Sequence, residues 1–470
     1  MQKVALHNLG CKVNSYEMDV IGQKLEEKGY QLVPFDQQAD IYIINTCTVT
    51  NIADRKSRQM LHQAKKRNPE AVVVAVGCYV QTGKEQVLRD AGIDLAIGNN
   101  RKKDLADILE AYLADRTGEG LYDKTMNDTS VININKTYEY EEMQLTHTAE
   151  HTRAYIKVQD GCNQFCSYCI IPFARGRVRS RHLESIRKEV MGLAEAGYKE
   201  IVLTGIHISS YGIDFEDDAW AEGRCVEKPQ KEDRHDYSGA SKLLDLIERI
   251  HDIPGIERIR IGSLEPRIVT EESAMRLAAL PKLCPHFHLS LQSGCDATLK
   301  RMNRRYTTAQ FQASVEALRK AFGNPAITTD VIVGFPGETE EEFQTTVAYL
   351  EELSLYEMHI FKYSVRKGTV AAAMKNQIVE GVKAKRSAEL LEMEARKSKE
   401  YRSQFLGQRV QVLMEESKNI DGKTFMIGHT REYVKVAVET DRDFSNQIME
   451  VMTEKFLTDD ILCGKFLQIV

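Results

Sequence analysis

The first part of the chain alternates two hydrophobic periods. KVALHNLG (3–10), ADIYIINTC (39–47), AVVVAVGC (71–78) and DLAIGNN (94–100) are short apolar runs rich in β-branched residues. Between them, apolar positions recur at helical spacing, as in Met18, Ile21 and Leu25, or Leu105, Ile108, Leu109 and Tyr112. Strand-length runs separated by amphipathic helices predict an open, mostly parallel sheet with helices on its faces. The rhythm breaks over 117–150, which reads as a linker with one strand in VININ (131–135), and restarts at Arg153. AYIKVQDG, EIVLTGIHIS, RIRIGS, HFHLSLQSG, ITTDVIVGF and EMHIFKYSV then alternate with helical stretches. That pattern predicts a partial βα barrel with its chemistry at the carboxyl ends of the strands. A polar, aperiodic stretch at 212–240 interrupts it and reads as a flexible insertion, which makes Cys225 no ligand. A charged helix over 381–406 leads into five strand-like runs, expected to form a small β-barrel of the oligonucleotide-binding kind. The fold class is therefore α/β. The expected units are 1–116, a linker 117–150, a barrel 151–380 carrying the insertion, a connecting helix 381–406 and a β-barrel 407–470.

Composition alters this picture little. The chain has 470 residues, 42% hydrophobic and 28% charged. No apolar run approaches the ~20 residues that span a bilayer. The opening segment lacks a basic flank followed by an apolar core, so the expected address is cytoplasmic. With 63 basic and 69 acidic residues the formal charge is −6, which excludes a generally basic nucleic-acid coat. Local clusters remain: Arg175, Arg177, Arg179 and Arg181 without an intervening acid, Lys300, Arg301, Arg304 and Arg305, and Arg55, Lys56 and Arg58. Such clusters suit phosphates or stand as a solvated face. The tail from 401 to 470 has 9 basic and 11 acidic residues, so its charge gives no argument for gripping RNA.

The ten cysteines are too dilute for a disulfide scaffold. Cys162, Cys166 and Cys169 form C-x3-C-x2-C just after the first barrel strand. Structural zinc takes four ligands, often as two C-x2-C pairs, and no second pair exists here. Three thiolates on one loop suit three corners of an iron–sulfur cube, leaving the fourth iron without a protein ligand. Cys11, Cys47 and Cys78 are far apart in sequence, yet each follows a predicted parallel strand. The carboxyl ends of such strands share one sheet edge, where open α/β folds place ligands. Gly10, Asn45 and Gly77 fit a close backbone approach there. Singly, each cysteine reads as a small buried hydrophobe. Cys284, Cys295 and Cys463 read as packing residues.

GCKVNSYE, IINTCTVT, VGCYVQ, DGCNQFCSYCIIPFARGRVRSR, LTGIHISSYG, SLEP, HLSLQSG, RMNRRYT, TDVIVGFPGET, FKYSVRKGT and GHTREYVKV together resemble the methylthiotransferases of the radical S-adenosylmethionine (SAM) superfamily. The likeness spans essentially the whole chain and makes the tail a TRAM-like barrel. It implies two [4Fe–4S] clusters, on Cys11, Cys47 and Cys78 and on Cys162, Cys166 and Cys169. It implies SAM at the open iron of the second triad, cleaved to a 5′-deoxyadenosyl radical, and insertion of sulfur and methyl at an unreactive C–H. Tyr168 is expected beside the SAM adenine. Ser263, Glu265, Gln292, Asp330 and Gly334 are expected as strand-end SAM contacts, each with a cap or loop role as the alternative, and His207 is a weaker candidate. The run Arg175, Arg177, Arg179 and Arg181 is expected to meet the substrate RNA. GCKVNSYE looks like the branch acting on N6-threonylcarbamoyladenosine (t6A) at position 37 of tRNA. The isopentenyl-adenosine branch tends to read GCQMN there and the ribosomal-protein branch GCPKN. The implied partners are tRNA at its anticodon loop, a reducing electron donor and a sulfur source, with no membrane. Rival readings are the two sister branches, a non-catalytic iron–sulfur protein that binds RNA, and a zinc-stabilised RNA-binding module.

Overall fold

The computed structural model describes residues 1–116, 130–147, 152–215 and 240–470. Most of the expected insertion, with Cys225, lies outside the described residues.

The amino-terminal sheet is all parallel. It contains β1 (Lys3–Asn8), β2 (Gln31–Val33), β3 (Ile41–Thr46), β4 (Val72–Gly77) and β5 (Leu95–Ile97), in the order β2-β1-β3-β4-β5. β3 and β4 are buried at every position, which is why they read as unbroken apolar runs rather than alternating ones. The chain winds outward from β1 to β2, then crosses back to β3. The gap between β1 and β3 is thus the topological switch point, and its carboxyl edge is a ligand crevice. β2 was not expected from the sequence: three half-exposed residues on an edge leave almost no periodic signal.

The second sheet system carries β6 (Arg153–Asp160), β7 (Arg179–Ser180), β8 (Glu200–Gly205), β9 (Arg258–Ile261), β10 (His286–His288), β11 (Ala326–Val333) and β12 (Glu357–Lys362). β6-β8-β9 and β10-β11-β12 are parallel sets. Parallel bridges Ile259↔Leu283 and Leu264↔Leu289 join them into one six-stranded succession. β7 pairs antiparallel with the carboxyl end of β6. Three of the intervening helices begin at capping boxes on Thr270, Thr307 and Thr339, where reciprocal side-chain bonds satisfy backbone donors that a helix start leaves free.

After the helix Glu380–Ser403, β13 (Arg409–Ile420), β14 (Lys423–His429), β15 (Lys435–Glu439), β16 (Ile448–Phe456) and β17 (Ile461–Ile469) close into a barrel in the order β13-β14-β15-β17-β16. This barrel sits on the amino ends of the parallel strands. Arg153, at the start of β6, pairs with Glu415 at 2.6 Å. Arg258 donates to the carbonyls of His429 and Gln411, and Arg260 to those of Thr430 and Arg431. Arg153 and Arg260 both lie 4.8 Å from the Tyr433 ring centre. The end opposite the chemistry is thereby sealed.

VININ is not a strand. Asn133 accepts from the amide of Asn135 and caps a 3-10 turn over Ile134–Lys136, a local bond that outcompetes the β-branched pattern. The stretch 130–147 is packed rather than free: the Tyr140 hydroxyl donates to the carbonyl of Lys157, and the Tyr16 hydroxyl to that of Met143. Among the described residues, no helix is long and apolar enough to cross a membrane.

Candidate functional site

β1, β3 and β4 each hand over to a cysteine at the carboxyl edge of the first sheet. Cys11 precedes the helix Lys12–Glu27 and is exposed, Cys47 directly follows β3 and is half-buried, and Cys78 opens the helix Cys78–Thr82 and is buried. They converge closely enough that Cys11 and Cys78 both act electrostatically on Cys47. Two glycines are required for this approach. At Gly10 (φ +113°) a Cβ would stand 3.2 Å from the Cys47 Sγ, and at Gly77 (φ +97°) 2.5 Å from the Asn45 Oδ1. The Asn14 side-chain amide donates to the carbonyls of Leu9 (2.7 Å) and Thr46 (3.3 Å), tying the Cys11 loop to the Cys47 loop. Burial pushes the Cys47 thiol up to about 11. Such thiols stay neutral until a metal displaces their protons. The all-sulfur donor set is the soft kind that suits iron–sulfur clusters.

The other triad rides the loop after β6. Gly161 has φ +72°, and a Cβ there would fall 1.8 Å from the Arg177 carbonyl oxygen, so only glycine lets the loop turn back on itself. The amide of Cys162 donates to Gly176 (3.0 Å) and that of Cys169 to Cys166 (2.9 Å). The loop is held from outside by Asn303, which donates to the carbonyl of Phe165 at 2.9 Å, and by Ser167, whose hydroxyl donates to Arg301 at 2.8 Å. Burial pushes Cys169 up to about 12 and Cys162 higher still. Arg304 counters this: its guanidinium donates to the Cys166 Sγ at 3.2 Å and lowers both flanking thiols. In sequence Arg304 belongs to a basic run that reads as a phosphate patch. Its placement against a sulfur could not be seen there.

The expected SAM contacts divide. Ser263 is exposed beyond β9. Glu265 is buried, with His207 Nε2 at 3.3 Å and Arg267 Nε at 2.5 Å. Burial alone would raise its carboxyl, and these two partners bring it below the usual range. Gln292 adopts a left-handed conformation (φ +72°) and bridges Val331 just past β10. Gly334 follows β11 at φ +70°, donates to Glu338 at 2.6 Å, and a Cβ there would meet the Lys383 side chain at 2.4 Å. Tyr168 packs its ring edge-on to Phe335 at 6.3 Å. Asp330 is not at a strand end: it lies inside β11, between His288 Nε2 (3.4 Å) and His359 Nδ1 (3.1 Å) of the flanking strands.

The arginine run corrects an expectation. Arg175, Arg179 and Arg181 are fully buried and cannot present phosphate-binding surface. Arg175 reaches Glu17 (2.8 Å), Asp160 (3.1 Å) and Asn14 (2.6 Å). Arg179 lies 3.6 Å from Asp160 and donates to the carbonyl of Arg175. Arg181 pairs with Glu189 and reaches Glu142 at 3.2 Å. Their acidic partners lie outside the run, on the preceding strand, the following helix and, for Glu17, far away in sequence, so the run looks uncompensated when read linearly. Only Arg177 is partly open, 4.4 Å over the Phe165 ring. Arg301 is also engaged, with Glu342, while Arg55, Lys56, Lys300 and Arg305 are exposed.

These buried contacts bring the two triads together. Asn99 donates to the carbonyl of Ala174 at 2.7 Å while its amide stands 3.5 Å from the Cys78 Sγ. The helix Cys78–Thr82 packs on the turn Ile171–Ala174 that follows Cys169. Arg366, beyond β12, donates to Thr48 and pairs with Asp54 at 2.8 Å in the segment after Cys47. Arg175, Asn99 and Arg366 thus fasten the edge of one sheet to the mouth of the other.

Comparison with known proteins extends this geometry. The Radical SAM superfamily matches residues 156–350, and the uncharacterized protein family UPF0004 matches residues 3–98. A threonylcarbamoyladenosine tRNA methylthiotransferase MtaB of Bacillus subtilis (strain 168) is 40% identical over 452 residues, covering 96% of this chain and 93% of that protein. Its counterpart in Aquifex aeolicus (strain VF5) is 38% identical over 418 residues, covering 89% and 94%. A tRNA-2-methylthio-N(6)-dimethylallyladenosine synthase of Methylacidiphilum infernorum (isolate V4) is 34% identical, covering 96% and 92%. Among solved structures, the radical S-adenosylmethionine methyltransferase TsrM from Kitasatospora setae, with cobalamin and [4Fe-4S] cluster bound, shares the fold. Its TM-score is 0.54 at 16% identity, covering 79% of this chain and 77% of that one.

Proposed function

The chain belongs to the methylthiotransferases of the radical-SAM superfamily, and from that premise we propose that it methylthiolates C2 of N6-threonylcarbamoyladenosine at position 37 of tRNA, in the anticodon loop. The observation that carries this reading is the pair of thiol triads, set at the carboxyl edges of two adjoining parallel sheets. The greater identity to the Bacillus subtilis and Aquifex aeolicus threonylcarbamoyladenosine enzymes (40% and 38%) than to the dimethylallyladenosine synthase (34%) supports the branch. Cys162, Cys166 and Cys169 would hold one [4Fe–4S] cluster with SAM, and Cys11, Cys47 and Cys78 the other. When bound, these groups supply a 5′-deoxyadenosyl radical, a sulfur and a methyl group. The adenine C2–H has no acidic proton and no leaving group, so acid–base side chains alone have little purchase on it.

The chain's own residues do the positioning. Arg304 donates to Cys166 and stabilises negative charge on the sulfurs. Tyr168, Glu265, Gln292 and Gly334 are assigned to the SAM pocket with Ser263 and Asp330. Arg175, Arg366 and Asn99 keep the two sulfur edges in register, so that an adenine can reach both. Exposed Arg55, Lys56, Lys300 and Arg305, with Arg177, take the phosphate role that the buried arginines cannot. The units 1–116, 151–380 and 407–470, a cytoplasmic location, a reducing partner and a sulfur source complete the proposal.

Nucleoside mass spectrometry of tRNA from cells with and without the protein tests it. We expect the 2-methylthio form of t6A to vanish in the deletion while t6A itself persists. Loss of the methylthio form of isopentenyl-adenosine instead would overturn the branch and leave the chemistry standing.

A further inference from the structure

The rim between the two triads carries an aromatic ring that the core does not use. Phe173 lies in the turn Ile171–Ala174, which follows Cys169 closely and packs on the helix that Cys78 opens. Pro172 and Ala174 on either side of it are buried, whereas Phe173 is 45% exposed. A single exposed phenylalanine needs no explanation. Two neighbours set this one apart.

The first is Phe165, which precedes Cys166. Its backbone is left-handed at φ +50°, a conformation that bulky side chains rarely adopt. The Asn303 side chain holds it there, donating to its carbonyl at 2.9 Å. The Phe165 ring meets that of Phe173 edge to face at 6.1 Å. The second is Arg177, whose guanidinium stands 4.4 Å from the Phe165 ring centre. Arg175, Arg179 and Arg181 are each held by an acid. The Arg177 side chain makes no ion pair or hydrogen bond among the described residues, and its Nη1 is shut off from water without a partner. An N–H left so is costly until an acceptor arrives. A strained loop residue thus seats one ring, a second ring stands open beside it, and a cation held by no carboxylate covers the first. A nucleotide offers the complement of both halves: a flat base that stacks on an aromatic face, and an anion that takes a free arginine. The other exposed charges singled out near the triads, Arg55, Lys56, Lys300 and Arg305, are basic, which favours RNA over an acidic protein segment.

We propose that Phe173 is the stacking surface for a nucleobase flanking the target adenine, with Arg177 on the adjoining phosphate. This rests on the function proposed above. Holding the flanking base on the rim splays the target adenine out of the anticodon-loop stack, toward the gap between the two sulfur edges.

The test uses reconstituted full-length enzyme, tRNA bearing t6A, and two tRNAs that also lack the base immediately before or immediately after position 37. Phe173→Leu should weaken binding of the intact tRNA roughly 10- to 100-fold, the worth of one base–aromatic stack, and Phe173→Trp should restore it. Iron content and 5′-deoxyadenosine formation without tRNA should match wild type in both variants. Wild type should bind one of the two abasic tRNAs about as weakly as Phe173→Leu binds the intact one, and the variant should lose nothing further on it. Phe173→Leu should leave the salt dependence of binding unchanged, whereas Arg177→Met should lower its slope by about one. Unchanged tRNA binding in Phe173→Leu, additive losses on both abasic tRNAs, or loss of iron or of SAM cleavage in that variant would overturn the inference. So would a wild-type dimer that Phe173→Leu dissociates without weakening tRNA binding, which would give the ring to a second copy of the chain. Wild type that binds t6A tRNA yet forms no methylthio product would instead overturn the proposed function, so the two failures are distinguishable.

Discussion

Replacing Cys162, Cys166 and Cys169 together with alanine is expected to abolish SAM cleavage and to reduce iron from about eight to about four atoms per chain. Replacing Cys11, Cys47 and Cys78 should remove the same amount of iron with a different consequence. That variant should still form 5′-deoxyadenosine with a reductant, yet no methylthio nucleoside. The asymmetry follows from how the triads are built. Cys162, Cys166 and Cys169 share one short loop, anchored by Ser167 and Asn303 and backed by Arg304. They stand on the loop after β6, beside the residues proposed above to hold SAM. Cys11, Cys47 and Cys78 come from three separate strand ends around a switch point, with none of the residues proposed for SAM among them. Both triads lie in loops or at helix starts, so alanine removes the ligands while costing the packing of one sulfur atom at each of the buried Cys78 and Cys162. Iron analysis, quantification of 5′-deoxyadenosine and mass spectrometry of the tRNA read the three effects separately. Unaltered iron in the amino-terminal variant would reduce those cysteines to packing residues. Loss of cleavage in that variant alone would reverse the assignment of roles.

Much of this was legible in the linear chain because periodicity and strand-end position are local properties. The cysteines of the first sheet could be grouped because parallel strands share a carboxyl edge, whatever their separation in sequence. Charge was misread for the complementary reason. Arg175, Arg179 and Arg181 look like a basic strip because Glu17 and Asp160, which neutralise two of them, lie elsewhere in the sequence or on a preceding strand. The third is neutralised by Glu189, two helical turns further on and turned inward. Arg304 and Arg366 were hidden likewise: a linear run gives the count of cations, not the direction in which each points. VININ failed on a single Asn133 side chain, which supplies a turn bond that hydrophobic pattern does not encode.

The buried charge cluster carries the second large expectation. Glu17, almost wholly inaccessible, faces Lys157 at 2.9 Å and Arg175 at 2.8 Å and also pairs with Lys102. These cations come from three places: the turn after β5, the strand β6, and the segment between Cys169 and β7. Glu17→Gln should destabilise the protein by about 3–5 kcal/mol, because removing one member of a buried ionic set leaves the others uncompensated. Asp160 remains beside Lys157 and Arg175, so the fold should survive with its two sheets less firmly registered. Methylthio product should then fall further than SAM cleavage, since only the former needs both sulfur edges at once. The pH dependence has a definite sign. Burial would raise the Glu17 carboxyl, but Arg175, Lys102 and Lys157 outweigh it and hold the group well below the usual carboxylate range. Its stabilising contribution is therefore complete above the ordinary carboxylate pKa and is lost as pH falls toward the depressed value. Urea unfolding of wild type and Glu17→Gln from pH 7 down to about pH 3 measures both effects. The variant should be weaker at neutral pH and should lose less stability on acidification. A difference under about 1 kcal/mol at neutral pH would show that the lysines and Arg175 are compensated without Glu17, in the range of an exposed pair rather than a buried one.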